Sequence, residues 1–204
     1  MRDIHHRRSI RLKNYDYSQT GYYFVTICTR NRECILGHVV DGEMQLSKIG
    51  QLVQIAWNDL LKRFENLELD KFTVMPNHIH GVITIVKAGL ALPKEGAASS
   101  APTRDVPIRL MDVVPAFKSI SAINVNRFLS RVGIPLWQPN YYEHIIRNEE
   151  SLNRVREYIE TNPLRWELDR ENPDRRGGDE FDRWLAIFKT GRSKKKIEEY
   201  NPNV

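Results

Sequence analysis

Cysteine and long apolar runs are both scarce in this chain of 204 residues. It has two cysteines, Cys28 and Cys34, which form neither a CxxC pair nor a longer series with the spacing of metal ligands. A disulfide-rich scaffold is therefore excluded, and a reducing compartment is expected. The N-terminal segment MRDIHHRRSIRLKNYDY lacks the apolar core of a signal peptide, and no run approaches the roughly 20 apolar residues that cross a bilayer. These absences predict a cytoplasmic protein.

A strong charge imbalance is missing too. The chain has 31 lysines and arginines against 26 aspartates and glutamates, a formal net charge of +5, and its pI is about 9.2. Such a charge attracts polyanions without identifying one. With 41% hydrophobic residues the chain can bury one sizeable core. We expect a main domain at residues 21–166, between a basic arm at 1–20 and a charged tail at 167–204.

Apolar patterning predicts the strands of one sheet. The segment YYFVTICT, residues 22–29, is dense in aromatic and β-branched residues, and Asp41-Gly42 between two short apolar runs indicates a small hairpin. One strand ends at the turn pair Pro76-Asn77, and the strand HIHGVITIV begins directly after it. These two strands should pair antiparallel across the tight turn.

Three helices and a fourth strand complete the pattern. Apolar residues recur every three or four positions in 48–64 and 111–132, and Asn148 is placed to cap a third helix that stops before Pro163. Residues 135–148 include the fourth strand, whereas the Gly-, Pro- and Ser-rich residues 88–108 predict a flexible surface loop. The element order predicts an α+β fold, a ferredoxin-like or RRM-like antiparallel sheet with helices on one face.

Two histidines interrupt the start of the strand HIHGVITIV. Side chains alternate along a strand, so His78 and His80 project to one face with Cα atoms roughly 6 to 7 Å apart. Two imidazoles in this arrangement can bind one metal ion, although an HxH strand can equally hold two histidines with unrelated hydrogen bonds. A third ligand is needed to decide between these interpretations.

Tyr158 and Asn162 lie four residues apart on one flank of the third helix. Seen singly, Tyr158 is typical of a boundary tyrosine with a wet hydroxyl, and Asn162 of a helix-end residue before proline. Together with the histidine pair, they indicate a site that combines a nucleophile with a polar metal ligand.

These residues carry a resemblance to a known family. The segments VMPNHIHGVI and WQPNYYEHIIRNEESLNRVREYIETNPLRW resemble the REP-associated tyrosine transposases, relatives of the single-tyrosine insertion-sequence transposases within the HUH nucleases. The resemblance covers most of residues 15–166. It implies an HUH-type fold and the cleavage and rejoining of hairpin-bearing single-stranded DNA through a covalent 5′-phosphotyrosine.

The resemblance also implies a role for each site residue. Tyr158 matches the nucleophile, whereas His78, His80 and Asn162 match the ligands of a divalent metal ion. We expect Mg²⁺ or Mn²⁺, because nitrogen ligands suit manganese better and magnesium is far more available. The partner is expected to be single-stranded DNA with a hairpin of the REP type, and the protein to be a monomer or homodimer. The alternative is a non-catalytic protein that binds nucleic-acid hairpins on the same fold.

Other candidate residues depend on weaker patterns. His144 or Glu143 could assist proton transfer, although sheet packing is the commoner role for both. Tyr141 and Tyr142 could supply a competing nucleophile or a stacking platform for bases. Alternatively, they are ordinary aromatic residues of a strand. Basic side chains that could contact DNA phosphates, or simply be solvated, are Arg7, Arg8, Arg11, Lys118, Arg127, Arg131, Arg147 and Arg154.

Overall fold

The structure, a computed structural model, describes residues 19–86 and 107–189. The predicted basic arm with Arg7, Arg8 and Arg11, the predicted loop up to residue 106, and the tail beyond residue 189 lie outside the described residues. Among the residues that are described, no helix has the length and apolar character needed to cross a membrane.

The described residues form six strands, five α-helices and two short 3-10 helices. In chain order the main elements are β1 (Gly21–Cys28), β2 (Gly37–Val40), β3 (Glu43–Leu46), α1 (Lys48–Asn58), α2 (Leu60–Arg63), β4 (Leu67–Met75), β5 (His78–Ile85), α3 (Leu110–Phe128), β6 (Tyr142–Ile146), α4 (Glu149–Thr161) and α5 (Glu180–Lys189). The 3-10 helices are Arg30–Arg32 and Pro163–Leu168. The single helix predicted at 48–64 is thus divided into α1 and the one-turn helix α2.

Four strands form one antiparallel sheet in the order β4-β5-β1-β6. The predicted pairing of β4 with β5 across Pro76-Asn77 is observed, with Met75 opposite His78. β2 and β3 form a separate hairpin. Its turn residues Asp41 and Gly42 both have positive φ, 51° and 78°, as a tight hairpin turn requires.

One face of the sheet packs against α1 and α3. Tyr23, Val25 and Ile27 of β1 alternate toward this face and are fully buried with Trp57 of α1 and Phe117 of α3. Gly81 of β5 is required here, because a Cβ at this position would lie 2.5 Å from the Trp57 ring. Burial of each large apolar side chain contributes about 1.5–3 kcal/mol, so this layer is the main source of stability.

The opposite face carries α4 and α5. Phe24 and Val82 point to this side, where they pack with Val155 and Ile159 of α4 and Phe181 of α5. The α+β fold class with an antiparallel sheet is confirmed. The helices are not confined to the one face that was predicted, because α1 and α3 cover one face and α4 and α5 cover the other. The sequence of β5 accounts for this second layer, since all eight of its residues are buried and such a strand needs cover on both sides.

Candidate active site

The histidine pair lies at the first and third positions of β5, directly after the turn. Both side chains project toward the α4 face, and His78 and His80 are 0% and 2% exposed. Their Nε2 atoms are 2.9 Å apart. Two ligand nitrogens that each lie about 2.1 Å from one ion at right angles would be separated by about 3 Å. The spacing of the pair therefore fits two adjacent ligands of one ion.

Hydrogen bonds to the far nitrogens orient both imidazoles. His78 Nδ1 lies 2.8 Å from Asn77 Oδ1, while Asn77 Nδ2 donates to the carbonyls of Arg32 (3.1 Å) and Glu171 (2.7 Å). Asn77 thus presents its oxygen to His78, so His78 Nδ1 carries the proton and Nε2 keeps its lone pair. His80 Nδ1 lies 2.9 Å from Thr26 Oγ1, which directs its Nε2 toward the same point.

Asp169 completes a buried group with the two histidines. Its Oδ2 is 3.7 Å from His78 Nε2 and 3.8 Å from His80 Nε2, and its Oδ1 accepts a hydrogen bond from Glu171 N at 2.6 Å. One ligand atom from each of the three residues lies within 4.8 Å of the others, so the group could hold a metal ion. Asp169 comes from the segment that the sequence assigned to a charged tail.

The charge states of this group also suit a cation. Burial lowers the pKa of His78 to about 3, with a further contribution from His80, so the imidazole is neutral at neutral pH. Burial alone would raise the pKa of Asp169, but the histidines and a hydrogen bond from Asn162 outweigh it and hold that pKa well below its usual range. A neutral imidazole and an ionised carboxylate are the forms that bind metals.

Asn162, at the C-terminal end of α4, has one polar atom satisfied and one free. Its Nδ2 donates to Asp169 Oδ2 at 2.9 Å, whereas its buried Oδ1 has no hydrogen-bond partner among the described residues. An unsatisfied buried carbonyl costs about 1–3 kcal/mol. A cation bound to Oδ1 would remove this cost, because amide oxygens are ordinary ligands of hard divalent ions. The residues present therefore fit a divalent metal ion.

Tyr158 reaches the same group from the preceding turn of α4. Its Oη lies 3.3 Å from His80 Nε2 and donates to Asp169 Oδ2, also at 3.3 Å. The side chain is only 3% exposed. Burial, followed by the negative charge of Asp169, raises the pKa of Tyr158 well above its usual value, so the group is a neutral phenol.

Ionic contacts hold α4 in place on its own sheet. Arg156 donates to both carboxylate oxygens of Asp70 on β4, with distances of 2.5–3.1 Å, and Lys71 pairs with Glu160. A bidentate arginine–carboxylate contact fixes orientation as well as proximity. Tyr158 is therefore brought to the histidines of the same chain.

The segment after Asn162 covers the tyrosine. The Phe181 ring stacks on the Tyr158 ring with centroids 3.7 Å apart and an angle of 9° between planes. Asp179 caps this turn by accepting from Phe181 N at 2.6 Å, and it pairs with Arg165 at 2.7 Å. The described part of the predicted tail therefore packs on the sheet and shields Tyr158.

The other candidate residues on β6 do not join the group. His144 shares the sheet face of the histidine pair but lies against Trp184, with ring centroids 5.6 Å apart. Burial, with a smaller effect of Arg147, lowers the pKa of His144 to about 4. Glu143 pairs with Val25 and so projects to the opposite face.

The tandem tyrosines also lie apart from the His78–His80–Asp169 group. Tyr141 packs against the core on the α1 and α3 side. Tyr142 contacts Phe24 edge to face, with the Arg170 guanidinium 5.6 Å from its ring centre. Burial raises the pKa of Tyr142 to about 12. Of the three candidate tyrosines, Tyr158 is the one that meets the histidines.

Several of the basic residues predicted to contact DNA have partners within the protein. Lys118 donates to the backbone oxygens of Gln138 (2.5 Å) and Pro139 (3.0 Å), and Arg131 donates to Asn126 Oδ1 at 2.7 Å. Arg154 pairs with Glu180 at 2.9 Å. Arg127 and Arg147 are exposed.

Comparison with known proteins gives similarities both in sequence and in structure. No family model matches the chain. An uncharacterized protein of Haemophilus influenzae is 42% identical over 169 residues, which are 81% of this chain and 93% of that protein. A REP-associated tyrosine transposase bound to a REP hairpin superposes with a TM-score of 0.50 and 20% identity, over 76% of this chain and 74% of that one. The resemblance seen in the sequence is thus confirmed at the level of the fold. The chain belongs to one family with the Haemophilus influenzae protein, and its fold is that of the REP-associated tyrosine transposases.

Proposed function

We propose that the protein is a metal-dependent nuclease and strand transferase for hairpin-bearing single-stranded DNA, and that Tyr158 forms a transient 5′-phosphotyrosine. The observation that carries this proposal is the position of Tyr158 Oη, 3.3 Å from both His80 Nε2 and Asp169 Oδ2. The likeness in fold to a transposase that binds a REP hairpin supports the class of substrate.

The proposed reaction has two transfers of one phosphoryl group. In the first, Tyr158 Oη bonds to the phosphorus and the 3′ oxygen leaves, so the phenol loses a proton and the 3′ oxygen gains one. In the second, a 3′-hydroxyl attacks the phosphotyrosine and the phenol is restored. A phenol, with a pKa near 10, leaves more readily than an aliphatic alcohol, so the covalent link stays reactive. Asp169 Oδ2 orients the phenol by accepting its hydrogen bond.

The residues that would hold the metal are His78, His80, Asp169 and Asn162, the last through its unpartnered Oδ1. Mg²⁺ or Mn²⁺ at this position would supply positive charge that polarises a non-bridging phosphate oxygen and offsets the charge that develops during transfer. The two imidazoles favour Mn²⁺, and the carboxylate and amide oxygens also accept Mg²⁺.

Access to Tyr158 sets a condition on this proposal. The side chain is 3% exposed and stacked under Phe181, so a phosphodiester can reach Oη only after Phe181 moves. The same burial favours the alternative function, a protein that binds DNA hairpins without cleaving them. In that case the buried group has a structural role. The basic arm at residues 1–20 stays a predicted DNA contact in both cases.

A cleavage assay separates the two functions. End-labelled DNA hairpins with randomised single-stranded flanks are incubated with the protein and MnCl₂, and the products are resolved on denaturing gels. The proposal expects cleaved DNA and a protein-linked species with the wild type and with Tyr142→Phe, and neither with Tyr158→Phe. Hairpin binding without cleavage, at an affinity that His78→Ala/His80→Ala leaves unchanged, would establish the non-catalytic alternative.

A further inference from the structure

Trp166 lies beside the buried histidine pair and is itself only half-buried. It lies in the 3-10 helix Pro163–Leu168, and its ring centroid is 6.1 Å from that of His78 with an angle of 31° between planes. Among the described residues, the rings of Phe24 and Tyr158 also contact the histidine pair, but these are 1% and 3% exposed. Of these three residues, Trp166 is half-buried and the other two are buried.

The backbone at Trp166 is fixed relative to the His78–His80–Asp169 group. Its carbonyl accepts hydrogen bonds from Asp169 N at 3.1 Å and from Asn172 Nδ2 at 2.9 Å. Asp169 is itself one of the three residues that could hold the metal. The indole beside His78 is therefore carried by an anchored backbone rather than by a free loop.

The surface around Trp166 combines apolar and basic character. Leu164, in the same 3-10 helix, is 70% exposed and lies against the β2–β3 turn, where a Cβ on Gly42 would be 2.4 Å from its Cδ2. The Arg32 carbonyl accepts a hydrogen bond from Asn77, the neighbour of His78, and the Arg32 side chain is 48% exposed and pairs with Glu171 at 3.0 Å. A nucleotide strand needs both kinds of surface, because its bases stack on aromatic rings and its phosphates pair with cations.

We propose that Trp166 is a stacking platform for a nucleobase of single-stranded DNA, the base next to the phosphate that meets the His78–His80–Asp169 group. This inference rests on the proposed function and assigns a base subsite to it. The ring centres of Trp166 and His78 are 6.1 Å apart, so a base on Trp166 would lie close to the His78–His80–Asp169 group. Stacking on an indole tolerates any base, so the subsite holds the strand in position without reading its sequence.

The test measures binding alone, in a Tyr158→Phe background that cannot react. Fluorescence anisotropy with MnCl₂ compares two probes of about 12 units, a single-stranded oligothymidylate and a base-free deoxyribose-phosphate oligomer. Trp166→Ala should weaken oligothymidylate binding roughly 5- to 150-fold and leave the base-free oligomer unchanged. Trp166→Phe should lose less, whereas Trp166→Leu, which is apolar but cannot stack, should lose nearly as much as the alanine variant. Ile123→Ala, an exposed residue of α3 on the other side of the sheet, is the control.

Three results would overturn the inference. These are no measurable binding of oligothymidylate by the parent protein, equal losses for both probes, and a leucine variant that binds as well as the protein with Trp166.

This binding test is independent of whether the proposed reaction takes place. Suppose that binding depends on the bases and on Trp166, but that the wild-type protein, which retains Tyr158, forms no adduct with DNA. This result would refute the proposed reaction and support the base subsite. Adduct formation with no effect of Trp166 would refute only the subsite.

Discussion

The hydroxyl of Tyr158 and the carboxylate of Asp169 meet at 3.3 Å, although one lies on α4 and the other in the irregular segment beyond it. This contact joins the proposed nucleophile to the group that could hold a metal. It also explains why the phenol is neutral, since burial and the nearby negative charge both raise the pKa of Tyr158. The candidate site is therefore built from β5, α4 and the chain that follows α4.

Replacement of the carboxylate should weaken metal binding. Asp169→Asn keeps the shape of the side chain but removes its charge, and we expect the affinity for Mn²⁺ to fall at least tenfold, as is typical when a residue of a metal site is altered. Isothermal titration calorimetry measures this affinity directly. Asp59→Asn, which alters the exposed pair with Lys62, is the matched control. Equal Mn²⁺ affinity in Asp169→Asn and the wild type would remove Asp169 from the metal site.

Buried histidines that resist protonation should lower the stability in mild acid, whereas Asp182, whose pKa burial raises to about 6, acts in the opposite direction. In the unfolded chain His144 takes up a proton near pH 6.5, but in the folded protein, where burial lowers its pKa, only near pH 4. The unfolded state binds more protons in this window. His144 therefore lowers the unfolding free energy by up to about 1.4 kcal/mol for each unit by which the pH is reduced. His78, whose pKa is lowered to about 3, acts in the same direction.

Urea unfolding of the metal-free protein between pH 6.5 and pH 4 measures this slope. His144→Gln should reduce this slope by the contribution of about one proton, because glutamine does not titrate. An unchanged slope in His144→Gln would show that the folded protein protonates His144 as readily as the unfolded chain does.

Removal of the Phe181 ring should expose Tyr158. Phe181→Ala deletes the face-to-face partner of the tyrosine, and large-to-small changes of this kind cost about 3–5 kcal/mol of stability. Phe117→Ala is a matched control, since it removes a buried ring on the opposite face of the sheet. We expect faster nitration of Tyr158 by tetranitromethane, located by peptide mass spectrometry, in Phe181→Ala alone. Similar nitration rates in both variants would mean that Phe181 does not limit access.

One chain should contain a complete site. Arg156 and Asp70 anchor α4 to β4 of the same chain, and Tyr158 meets His80 in that arrangement. A mixture of Tyr158→Phe and His80→Ala proteins should therefore form no DNA adduct, because each molecule lacks one required group. Recovery of activity in the mixture would show that the tyrosine acts on the histidines of a second subunit.

The sequence was sufficient to predict the parts of the site that depend on local periodicity. The two-residue period of a strand places His78 and His80 on one face, and the helical spacing of Tyr158 and Asn162 places them on one flank of α4. The structure brings these four side chains together around Asp169 Oδ2. The turn pair before His78 likewise marked the start of β5.

The sequence could not supply Asp169 because no period relates it to the other residues. It follows Pro163 and a 3-10 helix, and its position depends on tertiary contacts such as Asn77 Nδ2 to the Glu171 carbonyl. A signal for the covering helix was present, since Phe181, Trp184 and Leu185 have helical spacing. The high charge of the surrounding residues favoured a solvated tail instead.

The most direct test of the proposed reaction locates the covalent bond. The wild-type protein is incubated with MnCl₂ and a cleavable hairpin DNA, digested with nuclease and protease, and sequenced by tandem mass spectrometry. The proposal predicts a nucleotide linked through its 5′ phosphate to Tyr158, within the peptide that also contains Asn162. A nucleotide on Tyr141 or Tyr142, or cleaved DNA with no nucleotide attached to the protein, would contradict it.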